Sequence, residues 1–255
     1  MIVDSTDKNY KMVAQSWDDP ALWFDTNITK KSKLIKYLSQ CDFLEQYIRA
    51  STPEVYGSTG DEWKKENFVY NPSTPYAVSK AACDMHLRCL FKTYGFPVIF
   101  TRAANVYGPG QQLYRIIPKT IISALDGRKM TLHGGGVTKR SFVHIKDVVQ
   151  ATLRLGLNAE SGSAWHISSN NDISIKELVI KIFEACDGDI QKCVEIGEER
   201  KSKDGRYRIS SENLRKKFNW DDRITLDDGI KETISWVKKN WDIVKKLNTS
   251  YIHQR

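Results

Sequence analysis

The sequence has 255 residues, 40% apolar and 27% charged, with a formal net charge of +8, the proportions of an ordinary globular protein with room for a substantial core. No apolar run reaches the roughly eighteen residues of a membrane span, and MIVDSTDKNYK lacks the apolar segment of a secretory leader, so a cytoplasmic protein without membrane contact is expected. Basic residues are spread along the chain with acids beside them, as in 198–204 and 221–223, which argues against a nucleic-acid footprint and for a solvated surface mildly attractive to an anionic ligand.

In chain order, residues 20–40 read as a helix, with Leu34, Ile35 and Leu38 at helical spacing. EQYIRAST is a short strand running into the turn PEVYG, and a polar loop occupies 58–72. Ser73-Thr74-Pro75 is a helix start, a hydroxyl cap followed by proline in the first turn. That helix should run over 75–94 and stop at Gly95 and Pro97. PVIFTRAANV is then a buried strand opening into the turn YGPG. Strand, helix and strand in alternation predict an α/β fold with a parallel sheet.

After residue 110 the rhythm changes. The spacing predicts a helix over 116–126, strands at KMTLHGG and RSFVHI, a helix over 146–157, a strand at AWHISS and a helix over 174–186. Residues 188–220 read as irregular and polar, and 226–246 as a helix burying Ile230, Ile234, Trp236 and Val237. The cluster Gly134-Gly135-Gly136 reads as a turn between strands. The expected division is 1–110 and 111–255, the second a smaller α/β lobe interleaved with the sheet. Cys41, Cys83, Cys89, Cys186 and Cys193 are scattered and odd in number; they suit buried reduced thiols, and no metal site is proposed. His144 and His166 fall on expected strands and read as packed or exposed side chains.

Tyr76 and Lys80 carry the first chemical signal. Their i, i+4 spacing near a helix start places both on one face. An ammonium beside a phenol stabilises the phenolate, and the helix N-terminus adds to the effect, which makes a general base for a hydroxyl proton. On its own, Y-x-x-x-K more often marks a surface tyrosine and a surface lysine. Upstream, Thr52 and Glu54 stand at the C-terminal end of a strand, the edge where open α/β sheets build their sites. A small strand-end residue and a solvated turn acid are the plainer readings of those two in isolation.

Together, STPEVYG, NPSTPYAVSKAACDMH, TRAANVYGPGQ and RSFVHIKDVVQA resemble the extended short-chain dehydrogenase/reductase (NAD-dependent epimerase/dehydratase) family, and within it the nucleotide-sugar 4,6-dehydratases of the dTDP-glucose or GDP-mannose type. The resemblance runs from about Asp18 to the tail. It implies a Rossmann-like sheet, NAD as cofactor and conversion of an NDP-hexose to an NDP-4-keto-6-deoxyhexose through transient NAD reduction. By motif position it implies that Tyr76, supported by Lys80 and Thr52, deprotonates the C4 hydroxyl, and that Glu54 removes the C5 proton as water leaves C6. Asn27, with Tyr76 and Lys80, falls on the cofactor side; Asn105, Lys119, Arg140 and Arg206 fall at substrate and diphosphate contacts, where an arginine fork suits phosphate. The dTDP-glucose enzymes typically carry an aspartate just before the glutamate, and Pro53 stands there. The GDP-mannose enzymes also lack that aspartate, while the family's epimerases and decarboxylases usually lack the glutamate.

The first glycine of the sequence is Gly57, so no glycine-rich pyrophosphate loop precedes the candidate site. Against the family pattern the chain reads as N-terminally truncated. Residues 1–110 then hold the remaining half of the NAD-binding domain with the Tyr/Lys helix, and 111–255 mainly the nucleotide-sugar lobe. Two expectations follow. One is a dehydratase with little or no activity alone, whose cofactor half comes from a separate chain; the other is a non-catalytic remnant or sugar-nucleotide-binding module, or an epimerase or decarboxylase of the same family. The family also implies a homodimer through 75–94 and 28–40.

Overall fold

The computed structural model describes residues 1–4, 13–199 and 208–251. The chain folds into two compact units, the first formed by 1–104, 148–170 and 201–221, the second by 105–147, 171–200 and 222–255.

The first unit is built on a parallel sheet of four strands in the order β1 (Ile2–Asp4), β2 (Tyr47–Ala50), β3 (Val98–Ala103) and β4 (Ala164–Ile167). Ile48 pairs with Ile99, and Phe100 with Ala164. Tyr47, Ile48, Val98, Ile99 and Phe100 are fully buried, as expected of short apolar strands covered on both faces. The helices Lys31–Leu38 and Pro75–Tyr94 supply Ile35, Leu38, Cys83 and Leu87 to one core with Tyr47, Phe96, Val98 and Phe100. The expected parallel α/β fold is therefore present, and the opening residues, which carried no motif, include β1.

The second unit packs the helices Ile116–Asp126, Ile175–Ala185 and Leu226–Lys239 around Ile117, Ile121, Leu178, Ile182, Ile230, Ile234 and Val237. Short strand pairs surround them: Asn105–Tyr107 with Phe142–His144, Lys139–Arg140 with Ile173–Ser174, and Met130–His133 with Val194–Gly197. Gly134, Gly135 and Gly136 form the expected turn, all three at positive φ.

Several expected elements are divided differently. The helix over 20–40 is three pieces: Pro20–Phe24, a π-helical turn Asp25–Lys30, and Lys31–Leu38. Its middle, Thr26-Asn27-Ile28-Thr29, is made of weak helix formers. The strand over 97–106 breaks at Ala104, because Ala103 pairs with Ile167 in the first unit and Asn105 with Phe142 in the second. The helix over 226–246 stops at Lys239, and a separate turn Trp241–Val244 follows Asn240. Residues 188–220 hold the helix Ile190–Cys193, the strands Val194–Gly197 and Arg208–Ile209, and the helix Glu212–Phe218. These elements are too short to show a period; Leu214 is the one buried anchor of the last. Cys83, Cys186 and Cys193 are buried as expected, but Cys89 is exposed and Cys41 half-buried. His144 and His166 are packed, each fully buried. Among the described residues, no helix is long and apolar enough to cross a membrane.

Candidate active site

The helix Pro75–Tyr94 begins as its sequence predicts. Thr74 is the cap, its Oγ1 accepting from the Ala77 amide at 3.2 Å, with Pro75 in the first turn and Gly95 closing the helix in the left-handed conformation at φ 71°. Tyr76, Lys80 and Asp84 follow at successive i+4 positions, all buried. The Tyr76 amide, one of the donors left open at a helix start, bonds to Ser16 Oγ at 3.1 Å; Ser16 is itself fixed by a 2.6 Å bond to the Val13 carbonyl.

Lys80 Nζ donates to the Ala50 carbonyl, the last residue of β2, at 2.9 Å. Burial pushes the Lys80 pKa down to about 7, aided by the positive charge of Arg49 and opposed by Asp84 and Asp4. Beyond Ala50, Thr52 caps a single 3-10 turn, Pro53–Tyr56, its Oγ1 accepting from the Glu54 amide at 3.3 Å. Pro53 starts that turn, where its missing N–H costs nothing. Gly57 ends it at φ 68°, and a Cβ there would lie 2.3 Å from the Asn71 carbonyl oxygen, so only glycine fits.

Asn27 lies in the π-helical turn and is fully buried. Its Nδ2 donates to Ser79 Oγ at 2.9 Å, and Ser79 Oγ donates to the Tyr76 carbonyl at 2.7 Å. The tie runs to the Tyr76 helix. Asn27 Oδ1 is buried and has no hydrogen-bond partner among the described residues. Thr52, Glu54, Tyr76, Lys80 and Asn27 thus all belong to the first unit.

Asn105, Lys119 and Arg140 lie in the second unit. Asn105 Nδ2 donates to the Ser141 carbonyl at 3.0 Å, closing the strand pair it starts. Lys119 is half-buried on the helix Ile116–Asp126, and Arg140 is half-buried on the strand Lys139–Arg140, its Nη1 donating to the Lys139 carbonyl at 3.1 Å. Arg206 lies outside the described residues.

Beneath Thr52 and Glu54 is a buried charge network that the motifs did not announce. Arg49 bonds Asp4 at 2.8 Å and Asp84 at 3.2 Å, and Lys31 also bonds Asp4. Arg102 Nη2 lies 3.5 Å from Asp84, while its Nη1 donates to Tyr56 Oη at 2.5 Å. Burial, reinforced by the charge of Arg102, pushes the His166 pKa down to about 3. The neutral imidazole donates from Nδ1 to the Ser210 carbonyl at 3.2 Å and accepts the Tyr56 hydroxyl at Nε2 at 2.8 Å. Two signals for this network are present in the sequence: Asp84 extends the Tyr76–Lys80 stripe, and Arg49 and Arg102 interrupt otherwise apolar strands. Among the described residues, no group of His, Cys, Asp or Glu is arranged to hold a metal.

The family described as GDP-mannose 4,6 dehydratase matches residues 10–233. The dTDP-D-glucose 4,6-dehydratase of Mus musculus is 35% identical over 203 residues, covering 78% of this chain and 57% of its own length. Its Homo sapiens counterpart is 35% identical over 211 residues, covering 80% and 60%. The chain thus spans less than two thirds of these relatives. The crystal structure of DesIV, a dTDP-glucose 4,6-dehydratase from Streptomyces venezuelae with NAD bound, superposes with a TM-score of 0.88 at 26% identity, over 94% of this chain and 73% of that one. With the parallel sheet and the four ordered motifs in place, the chain belongs to the GDP-mannose 4,6 dehydratase family of nucleotide-sugar dehydratases.

Proposed function

We propose that this chain carries the catalytic residues of an NDP-hexose 4,6-dehydratase. The observation that supports this most is the Lys80–Ala50 bond, which fastens the Tyr76 helix to the strand end bearing Thr52 and Glu54. In this reading Tyr76 takes the proton of the C4 hydroxyl, Thr52 Oγ1 hydrogen-bonds the same hydroxyl, and Lys80 sustains the phenolate when charged. The ketone formed at C4 acidifies the C5 hydrogen, and Glu54 removes it. Pro53 has no proton to give, so Glu54 returns the proton it has gained to the hydroxyl leaving C6. One water is lost, C5 regains a proton from solvent through Glu54, and the C4 hydroxyl proton held by Tyr76 leaves to solvent, so atoms and electrons balance over the turnover.

NAD, when bound, supplies the hydride acceptor at C4 and the donor to C6. Tyr76, Lys80 and Asn27 would hold its nicotinamide side, and the buried, unmatched Asn27 Oδ1 suits an amide or hydroxyl donor there. No residue described here is assigned to the pyrophosphate; we assign that part to a further polypeptide segment, of this or a separate chain, in keeping with a first glycine at Gly57. Asn105, Lys119, Arg140 and Arg206 are assigned to the substrate and its diphosphate by motif position. Glu54 favours dehydration over epimerisation or decarboxylation.

The same reading includes a cytoplasmic homodimer. Val78 and Met85 on the Tyr76 helix, and Leu34 and Tyr37 on Lys31–Leu38, are exposed apolar side chains at 40%, 50%, 43% and 63%, of the kind a symmetric helix interface covers.

The direct test is mass spectrometry of NDP-hexoses incubated with NAD and the protein together with a glycine-loop segment that supplies the pyrophosphate site. Loss of one water, abolished by Glu54→Gln, is expected. A C4 epimer as the sole product would replace dehydration with epimerisation.

A further inference from the structure

Asp84 is given no part in the proposed chemistry, yet its carboxylate ties the Tyr76 helix to β2 and β3. It is fully buried on the Tyr76 helix, one turn beyond Lys80 and two beyond Tyr76. Its Oδ2 accepts the Ser51 hydroxyl at 2.5 Å, and its Oδ1 accepts Arg49 Nε at 3.2 Å. Lys80 and Asp84 therefore grip consecutive residues, Ala50 and Ser51, immediately before Thr52. At the other end of the Glu54 turn, Tyr56 Oη receives the 2.5 Å bond of Arg102, whose second nitrogen lies 3.5 Å from Asp84 Oδ2. Arg102 Nη1 also bonds the Asn67 carbonyl at 2.8 Å, and its Nη2 the Tyr70 hydroxyl at 3.0 Å.

We infer that Asp84 is a positioning residue that clamps the turn carrying Thr52 and Glu54 at both ends, through Ser51 at its entry and through Arg102 and Tyr56 at its exit. The chemistry gives this a purpose. A general base on a 3-10 turn is held by few backbone bonds, and a displacement near 1 Å costs a large share of the rate. A carboxylate buried between two guanidiniums is held by charge in a low-dielectric surrounding, and the 2.5 Å Ser51 hydroxyl bond adds a charge-assisted tie to the chain before Thr52. The same helix carries Tyr76, so one rigid element sets the spacing between the two proton-handling groups.

This inference rests on the dehydratase reading only for its kinetic arm. Ser51→Ala removes the clamp at its entry while leaving both arginines paired, and so avoids the unfolding that loss of the buried carboxylate invites. Amide hydrogen exchange should rise about tenfold over residues 52–57 and stay at the wild-type rate in the C-terminal half of the Tyr76 helix, because a local opening leaves the core intact. Asp84→Asn should extend the rise past residue 57 to the 67–70 segment that Arg102 holds, and Asp84→Glu should restore part of the protection. On an NDP-hexose with NAD, Ser51→Ala should lower kcat by ~10-fold with KM unchanged, as expected when a reacting group is misplaced. Wild-type exchange over 52–57 in Ser51→Ala, or a rise spread evenly over the whole first unit, overturns the clamp. If the wild-type chain removes no water even with a glycine-loop segment supplied, the dehydratase reading fails, and the exchange result still judges Asp84.

Discussion

Lys80 Nζ and the Ala50 carbonyl, 2.9 Å apart, join the helix of the candidate base to the strand of the candidate acid, inside the protein core. Burial that brings the Lys80 pKa to about 7 also makes its charge dependent on pH. An unfolded lysine holds its proton to about 10.5. Between those values the unfolded chain binds more protons, so the Lys80 contribution to stability rises with pH. Lys80→Met should unfold at higher urea than wild type at pH 6, show a flatter rise towards pH 10, and lose turnover. Urea midpoints at the two pH values check the sign.

Tyr76→Phe removes the phenol oxygen from a helix whose cap, Thr74, and amide partner, Ser16, are untouched. The fold should be unchanged by circular dichroism. In an initial-rate assay kcat should fall by ~10²-fold or more, the usual weight of a general base, with KM little altered.

Glu54→Gln separates the two proton transfers. C4 oxidation should continue, seen as reduced cofactor under single turnover, while deuterium from D2O no longer enters C5 and no water is lost. Deuterium at C5 in this variant would assign that proton to another group.

Asp4 tests the buried network from its far end. Burial alone would raise its pKa, but Arg49 and Lys31 outweigh burial and hold it at about 2 against the usual 3.8. The stabilisation is present above the usual value and is lost as the pH falls through the folded one. Asp4→Asn should remove about 2 kcal/mol of acid-dependent stability between pH 4 and pH 2, read from thermal melts at those pH values. Melts that differ by the same amount at every pH would contradict the assignment.

The parallel sheet and the helix Pro75–Tyr94 with its Thr74 cap and Gly95 stop were legible because each rests on local chemistry, whereas Thr52, Glu54, Tyr76 and Lys80 were singled out through the family resemblance of their motifs. Strand period, cap hydroxyl, proline and i+4 spacing are properties of short windows. Arg49, Asp84 and Arg102 are each conspicuous in the sequence, but their pairing was not legible, since they are 35 and 18 residues apart in sequence and meet only when β2, β3 and the helix pack. The π-helical turn that places Asn27 against Ser79 was hidden for a related reason: one extra residue per turn is decided by tertiary packing, and weak formers such as Thr26 and Thr29 permit it without demanding it. The short elements of 188–220 fall below the length at which periodicity separates strand from loop.

The central claim is that Thr52, Glu54, Tyr76 and Lys80 together remove water from a sugar nucleotide. It is tested most directly by incubating NDP-hexoses and NAD with the protein, alone and with a separately expressed glycine-loop fragment of the human relative, and weighing the products. Loss of one water in either mixture, absent with Glu54→Gln and with Tyr76→Phe, is the predicted result. A sugar nucleotide that binds by calorimetry yet is recovered intact from both mixtures would contradict the claim and leave a binding module.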